Sequence, residues 1–395
     1  MDKYKKVYLR KGKEQSLDRF HPWVFSGAIA HVDDGVDEGE VVNVFSSDGS
    51  FIAVGHYQIG SISVRVLSFD DCDIDSKFWS ASLKGALEMR IALGLADSSA
   101  GDTYRLVHGE GDFLPGLVID VYGKTAVMQA HSVGMHMMRN DIARELMAVM
   151  GGRIDNIYYK SETTLPFKAE LGQEDGFICG GSADNVAVEN GLKFYVDWLK
   201  GQKTGFFIDQ RDNRSLLEHY SAGRNVLNMF CYTGGFSVYA MRGGAASVHS
   251  VDSSAKAIEL TEKNVELNFP SHERHAAYCE DAFKYLDKVA DKYNLIILDP
   301  PAFAKHRGAL HNALKGYTRL NAKALEKIQP GGILFTFSCS QVVTKDNFRN
   351  AVFTAATVAR RKVRILHQLH QPADHPINIY HPEGEYLKGL VLYVE

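Results

Sequence analysis

From residue 224 onward, short apolar runs alternate with amphipathic stretches, a pattern that the first half of the chain does not show. "NVLNMF", "ASVHSVD", "AAYCED", "NLIILDPP" and "GGILFTFSCS" are too short for buried helices and rich in strand-forming residues. Between and after them, "FSVYAMRGG", "SSAKAIELTEKNVELNF", "YTRLNAKALEKI" and "NFRNAVFTAATVAR" have helical spacing. This alternation predicts a doubly wound parallel sheet with right-handed crossovers. "KVRILHQL" and "YLKGLVLYVE" follow without a helix between them, which predicts an antiparallel pair at the sheet edge.

Earlier segments read differently. Residues 1–70 predict a small all-β module: "EVVNVFSSDGSFIAVGHY" has two strand-like runs around Asp48-Gly49, and "SISVRVLSF" alternates faces. Residues 71–185 predict a mixed α+β module, with helical patterns in "SKFWSASLKGALEMRIALGL" and over 136–150. The intervening "GDFLPGLVIDVYGKTAVMQAH" supplies two strands with Pro-Gly and Tyr-Gly turns. "VAVENGLKFYVD" reads as a hairpin through Glu189-Asn190-Gly191 that opens a third region, 186–395.

Composition narrows the class. At 395 residues the chain exceeds the size of a single core, so two or three domains are expected. A net charge of -4 argues against attachment to nucleic acid by bulk charge, yet leaves room for local basic patches such as Arg360, Arg361, Lys362 and Arg364. The five cysteines are scattered without a C-x-x-C pair, as in a reducing cytoplasm, and predict neither a disulfide scaffold nor structural zinc. The 16 histidines form no H-E-x-x-H pattern, so no metal is expected. No apolar run approaches the ~18 residues of a membrane span, and a cytoplasmic protein is expected.

In open α/β sheets ligands bind beyond the carboxyl ends of the strands, so what each strand ends on carries the chemistry. The first ends in "NMFCYTGGFS", where Gly234 and Gly235 allow a tight turn and close approach of backbone to a ligand. This is not G-x-G-x-x-G, which argues against a dinucleotide enzyme such as a dehydrogenase. The second ends on Asp252, placed to bond ribose hydroxyls or to cap the next helix. The third ends at Asp281 beside small Ala282, where an adenine has room against the backbone. The fourth ends on Asp299-Pro300-Pro301, and the fifth on Cys339 between Ser338 and Ser340. A cysteine there is either an apolar filler or a nucleophile.

Jointly these strand ends resemble class I S-adenosylmethionine-dependent methyltransferases. "GHYQIGSISVRVLSF", "GEGDFLPGLVIDVYG", "NGLKFYVDWLKGQKTGFFIDQRDNR", "NMFCYTGGFS", "LDPPAFAK" and "FSCS", in that order, resemble the ribosomal large-subunit methyltransferase I family over residues 5–395. The resemblance implies an RNA-binding PUA-like barrel, a central α+β platform and a Rossmann-like methyltransferase domain with an antiparallel last strand. It implies S-adenosyl-L-methionine as cofactor and large-subunit ribosomal RNA as partner, and leaves a homodimer open. It places Asn228, Phe230, Tyr232, Gly234, Gly235, Asp252, Asp281, Ala282 and Asp299 around the donor, with Asp209 and Arg211, and Lys203 beside them, closing over its methionine end. For chemistry it implies formation of 5-methylcytosine, with Cys339 adding to the base and Asp299 holding its amino edge or ring nitrogen. Phe303 is expected to stack on RNA and Lys305 to meet phosphate.

Two other functions compete. Asp299-Pro300-Pro301 also resembles motifs of enzymes that methylate purine nitrogens, which need no thiolate. A noncatalytic RNA-binding assembly factor would keep the fold without the donor site. A second cysteine found after the aspartate in other RNA cytosine-5 methyltransferases is here Pro300. That leaves open which group removes the carbon 5 proton.

Overall fold

The computed structural model describes residues 3–166, 171–172, 174–181, 185–271, 273–289 and 292–395. Its contacts divide the chain into two compact units, neither a continuous segment: Met1–Val188 with Val196–Ile208 and Ala373–Gly384, and Glu189–Tyr195 with Asp209–Pro372 and Glu385–Glu395. No helix among the described residues is long and apolar enough to cross a membrane.

In the first unit, β1 (Lys5–Leu9), β2 (Trp23–Phe25), β3 (Ile29–Val32), β4 (Val41–Phe45), β5 (Phe51–Tyr57) and β6 (Ile62–Ser68) form a sheet in the order β2-β6-β5-β4-β1-β3. Alternate residues Val7, Leu9, Val42, Val44, Val64 and Val66 point inward and make its core, as period-2 patterning requires. Then α1 (Ser76–Ala92), capped by the Asp75 carboxylate, precedes β7 (Thr103–His108), β8 (Leu117–Tyr122) and β9 (Thr125–Ala130). The short α2 (Val133–Met137), α3 (Arg139–Met150), β10 (Asn156–Tyr159) and β11 (Gly176–Cys179) complete a second sheet, ordered β11-β10-β9-β8-β7. Trp79 and Leu83 from α1 and Ile142 and Leu146 from α3 share one core with it.

The segment 373–384 belongs to this unit by specific bonds. The Arg105 N–H donates to the Asp374 carboxylate (3.0 Å), and buried Arg90 donates to the Asp374 carbonyl (2.8 Å). His21 and His381 each lie 3.7 Å from Glu383.

β12 (Val186–Glu189) ends the first stretch of the first unit and β13 (Leu192–Tyr195) opens the second; Asn190 and Gly191 between them both have positive φ, the signature of a two-residue primed turn. The second unit continues with α4 (Arg211–Tyr220), β14 (Asn225–Met229), α5 (Gly235–Arg242), β15 (Ser247–Asp252), α6 (Ala255–Asn268), β16 (His275–Cys279), α7 (Ala282–Lys288) and β17 (Leu295–Leu298). After these come α8 (Leu310–Lys327), β18 (Gly332–Ser338), α9 (Lys345–Val358), β19 (Val363–His370) and β20 (Lys388–Val394). The sheet order is β16-β15-β14-β17-β18-β20-β19, with β14 to β18 parallel and β20 antiparallel to both its neighbours.

The last two strands pair antiparallel at the sheet edge, as the sequence reading expects, with the later strand, β20, lying between β18 and β19. Nearly every residue of β20 is accordingly buried, whereas β19 alternates and forms the edge. One detail differs from the sequence reading: α8 starts before "YTRLNAKALEKI", at Leu310, running through Gly316. A Cβ on Gly316 would stand 2.9 Å from the Phe303 ring, so the glycine is there for packing rather than for a turn.

Candidate active site

The carboxyl ends of β14, β15, β17 and β18 and the start of α4 gather the titratable groups. The loop after β14 has an unusual backbone: Phe230, Tyr232 and Gly234 all have positive φ (59°, 48° and 75°). Two non-glycine residues in the left-handed region within three positions are strain of the kind found at ligand-holding loops. The loop is fixed from below. Tyr232 N–H donates to one Asp252 oxygen (3.1 Å), Ser254 N–H donates to the other (2.9 Å), and Thr261 Oγ1 donates to the Tyr232 carbonyl (3.0 Å). The helix cap is Ser254, whose Oγ accepts from Ala257 N–H, which leaves Asp252 as the residue that shapes the loop.

Gly234 is required on two counts. Its φ is +75°, and a Cβ would lie 2.7 Å from Thr261 Cγ2. Gly234→Ala is expected to weaken binding of S-adenosylhomocysteine about tenfold, since left-handed backbone costs a non-glycine residue roughly 1–2 kcal/mol. Calorimetry measures this, and an unchanged affinity would remove the loop from the donor site. Gly235 is packed against Arg214 Cδ, 3.1 Å from where a Cβ would be. Arg214 is itself held by a buried bidentate pair with Glu189 (2.8 and 2.7 Å), a contact sequence reasoning did not anticipate.

Asp299, at the end of β17, is partly buried. Desolvation, and secondly the charge of Asp209, push its pKa up to about 7, although Gln210 bonds to it and Arg214 acts in the other direction. Asp209 accepts from Tyr386 Oη (2.7 Å) through one oxygen, while its other is buried with no hydrogen-bond partner among the described residues. Cys339, one residue beyond β18, is also partly buried. Burial first, then Asp299 and Asp209, push its thiol up to about 12, with Lys388 opposing. Iodoacetamide at about pH 8 is therefore expected to label exposed Cys279 well before Cys339. Peptide mass spectrometry reads the order, and Cys339 reacting first would mean a thiol already activated in the free chain.

The flanking serines brace the loops rather than serve the sulfur. Ser338 Oγ donates to the Tyr317 hydroxyl (2.9 Å) and Ser340 Oγ to the Ala304 carbonyl (2.5 Å). The β18 end is thereby tied to the loop after Asp299-Pro300-Pro301.

Other expected residues fall as follows. Asn228 is buried and donates to Ser237 Oγ (2.9 Å), leaving its Oδ1 without a hydrogen-bond partner among the described residues. The Asp281 carboxylate caps α7 by accepting from Lys284 N–H (3.0 Å), with Ala282 buried behind it. Arg211 is buried with its guanidinium 3.5 Å from the Asp212 carboxylate. Phe303 packs on Tyr317, ring centroids 4.6 Å apart, and is partly in the core. Lys305 is exposed, and Lys203 falls in the first unit. Lys388 and Tyr386 were missed: sheet register sets Lys388 opposite Ser338, and Tyr386, two residues earlier, finds Asp209 only in the folded chain.

This arrangement fits a sulfonium nucleoside. A glycine cradle, strained backbone, three carboxylates and oxygens of Asn228 and Asp209 that lack partners among the described residues suit a ligand with hydroxyls and positive charge. Together with the β16-β15-β14-β17-β18-β20-β19 sheet, they define the class: an S-adenosylmethionine-dependent methyltransferase.

Comparison with known proteins agrees. Residues 177–378 match the family described as S-adenosylmethionine-dependent methyltransferase, and residues 7–69 match the PUA-like domain. The ribosomal RNA large subunit methyltransferase I of Shewanella denitrificans is 39% identical over 398 residues, covering 98% of this chain and 99% of the relative. That of Aeromonas hydrophila is 40% identical, covering 98% of each. The chain belongs to the ribosomal RNA large subunit methyltransferase I family, and its methyl donor is S-adenosylmethionine. An S-adenosylmethionine-dependent methyltransferase from Streptococcus mutans, 23% identical, shares the fold over 98% of this chain and all of its own (TM-score 0.83). A second solved methyltransferase, also 23% identical with a TM-score of 0.84, is complexed with SAH.

Proposed function

We propose that this chain methylates carbon 5 of a cytosine in large-subunit ribosomal RNA through a covalent adduct between Cys339 and carbon 6 of the base. The observation that carries the reading is the placing of Cys339 and Asp299 at the ends of adjacent parallel strands, where the charge of Asp299 acts on the thiol. When bound, S-adenosylmethionine supplies the methyl group on a positively charged sulfur.

Carbon 5 of cytosine is too electron-poor to take a methyl group unaided. Addition of sulfur at carbon 6 makes the ring an enamine, splitting one hard step into two. Cys339 Sγ forms the bond to carbon 6, and the π electrons of the 5,6 double bond move toward ring nitrogen 3. Asp299, with a pKa of about 7, is able to hold a proton in this site and give it to that nitrogen. The free thiol is held protonated, so it ionises only as the base is engaged, with the Asp209 oxygen that lacks a partner available as acceptor. Once carbon 5 carries the methyl group, its proton passes to water, the 5,6 double bond re-forms as the sulfur–carbon bond breaks, nitrogen 3 returns its proton to Asp299, and Asp209 returns the other to the departing thiolate.

In this reading residues 186–395 perform the chemistry, while 1–70 and 71–185 grip RNA by shape and phosphate, with Lys305 and Phe303 at the base. The target must be flipped out or single-stranded.

The protonated thiol also suits a second reading, methylation of a purine nitrogen with Asp299 as hydrogen-bond partner. Digesting ribosomal RNA from cells lacking this protein and locating the missing methyl group by mass spectrometry separates them. Loss of a 5-methylcytidine supports the first, and loss of a methylated purine overturns it.

A further inference from the structure

Lys388 opens β20 opposite Ser338, the residue before Cys339. Lysines are among the residues least often fully buried, yet this one retains only 6% exposure. Its Nζ donates to the carbonyls of Ser340 (2.5 Å) and Val343 (2.7 Å), both in the turn directly after Cys339. Two carbonyls need two donors, which a neutral amide would supply without the cost of burying a charge. The charge therefore calls for a separate reason, and the reacting sulfur is beside it. Asp299, Asp209, Lys388 and Tyr317 face Cys339, and Cys339, Glu385 and Lys345 face Lys388. Of the groups around the sulfur, Lys388 is the cation that opposes two carboxylates. Burial lowers the ammonium to about 8, and the cysteine works against that fall.

We propose that Lys388 is a positioning residue for Cys339: it pins the turn over 340–343 through two carbonyls and sets one positive charge beside the sulfur, so that a thiolate can form there. The proposal rests on the reading of Cys339 as nucleophile.

The test uses the full chain with Lys388→Met, Lys388→Gln and Lys388→Arg. Iodoacetamide labelling of Cys339 is followed by peptide mass spectrometry across about pH 8 to 10. Met and Gln variants are expected to label about tenfold more slowly at about pH 8, equivalent to about one pKa unit, with the gap closing toward pH 10 as the wild-type ammonium, lowered to about 8, loses its proton. Arg is expected to restore most of the rate. With ribosomal RNA, kcat falls about 100-fold in Lys388→Gln while KM for RNA and donor stays within about threefold, as for a group acting in the transition state. Should the Met variant fail to fold, the Gln variant, still able to donate to both carbonyls, separates pinning from charge. Labelling at the wild-type rate at about pH 8 in a folded Gln variant, or an Arg variant as slow as Gln there, overturns the proposal. Absence of 5-methylcytidine from the wild-type reaction would instead count against the proposed function and leaves the labelling result standing.

Discussion

Cys339→Ala is expected to abolish methyl transfer to ribosomal RNA, a loss on the order of 10⁴-fold or more, while leaving the fold and donor binding intact. The side chain is small and only partly buried, so its removal opens little cavity. Wild-type protein offered RNA carrying 5-fluorocytosine should become trapped as an adduct, because fluorine cannot leave carbon 5 as a proton does. The alanine variant should form none. Gel shift under denaturing conditions reads the adduct. A variant that still methylates at even a tenth of the wild-type rate would take the sulfur out of the mechanism and favour nitrogen methylation.

Asp299→Asn is the second large effect, expected to lower kcat/KM by roughly 10²–10⁴-fold, the range for losing a positioned acid. The wild-type rate should decline as pH rises through about 7, where Asp299 loses its proton, and that limb should vanish in the variant. Stability provides an independent check. A carboxyl whose pKa is raised on folding binds its proton more tightly in the native state. The associated stability is complete below the ordinary carboxyl range and is lost as pH rises through about 7. The melting temperature of Asp299→Asn should therefore gain on wild type between about pH 4 and 7. A wild type that grows relatively more stable over that interval would mean that Asp299 is an ion-paired carboxylate rather than a desolvated one. Labelling of Cys339 should also quicken in the variant, since the carboxylate's charge raises the thiol.

The strand ends were legible because apolar runs and their terminating residues are local features. Gly234, Asp252, Asp299 and Cys339 could be placed from the alternation alone, given that ligands sit beyond the carboxyl ends of such sheets. What stayed hidden depends on partners distant in sequence. Gly316 looks like a helix breaker until Phe303 is seen against it. Ser338 and Ser340 look like chemistry beside a cysteine, but Tyr317 and Ala304 claim their hydroxyls. Lys388 lies in an apolar run that gives no sign of its ammonium reaching back to Ser340 and Val343. Glu189 likewise needed the fold to find Arg214. The family resemblance supplied the barrel and the donor, which periodicity does not encode.

The insertion of β20 between β18 and β19 bears on how the molecule is made. During synthesis the strand that leads into Cys339 emerges with one flank open, and its neighbour on that side is among the segments translated well afterwards. Until that neighbour arrives, the nascent sheet has an unpaired margin that other chains can join. A partly made chain is thus prone to stick at that margin, a liability that ends when the last strand slots in.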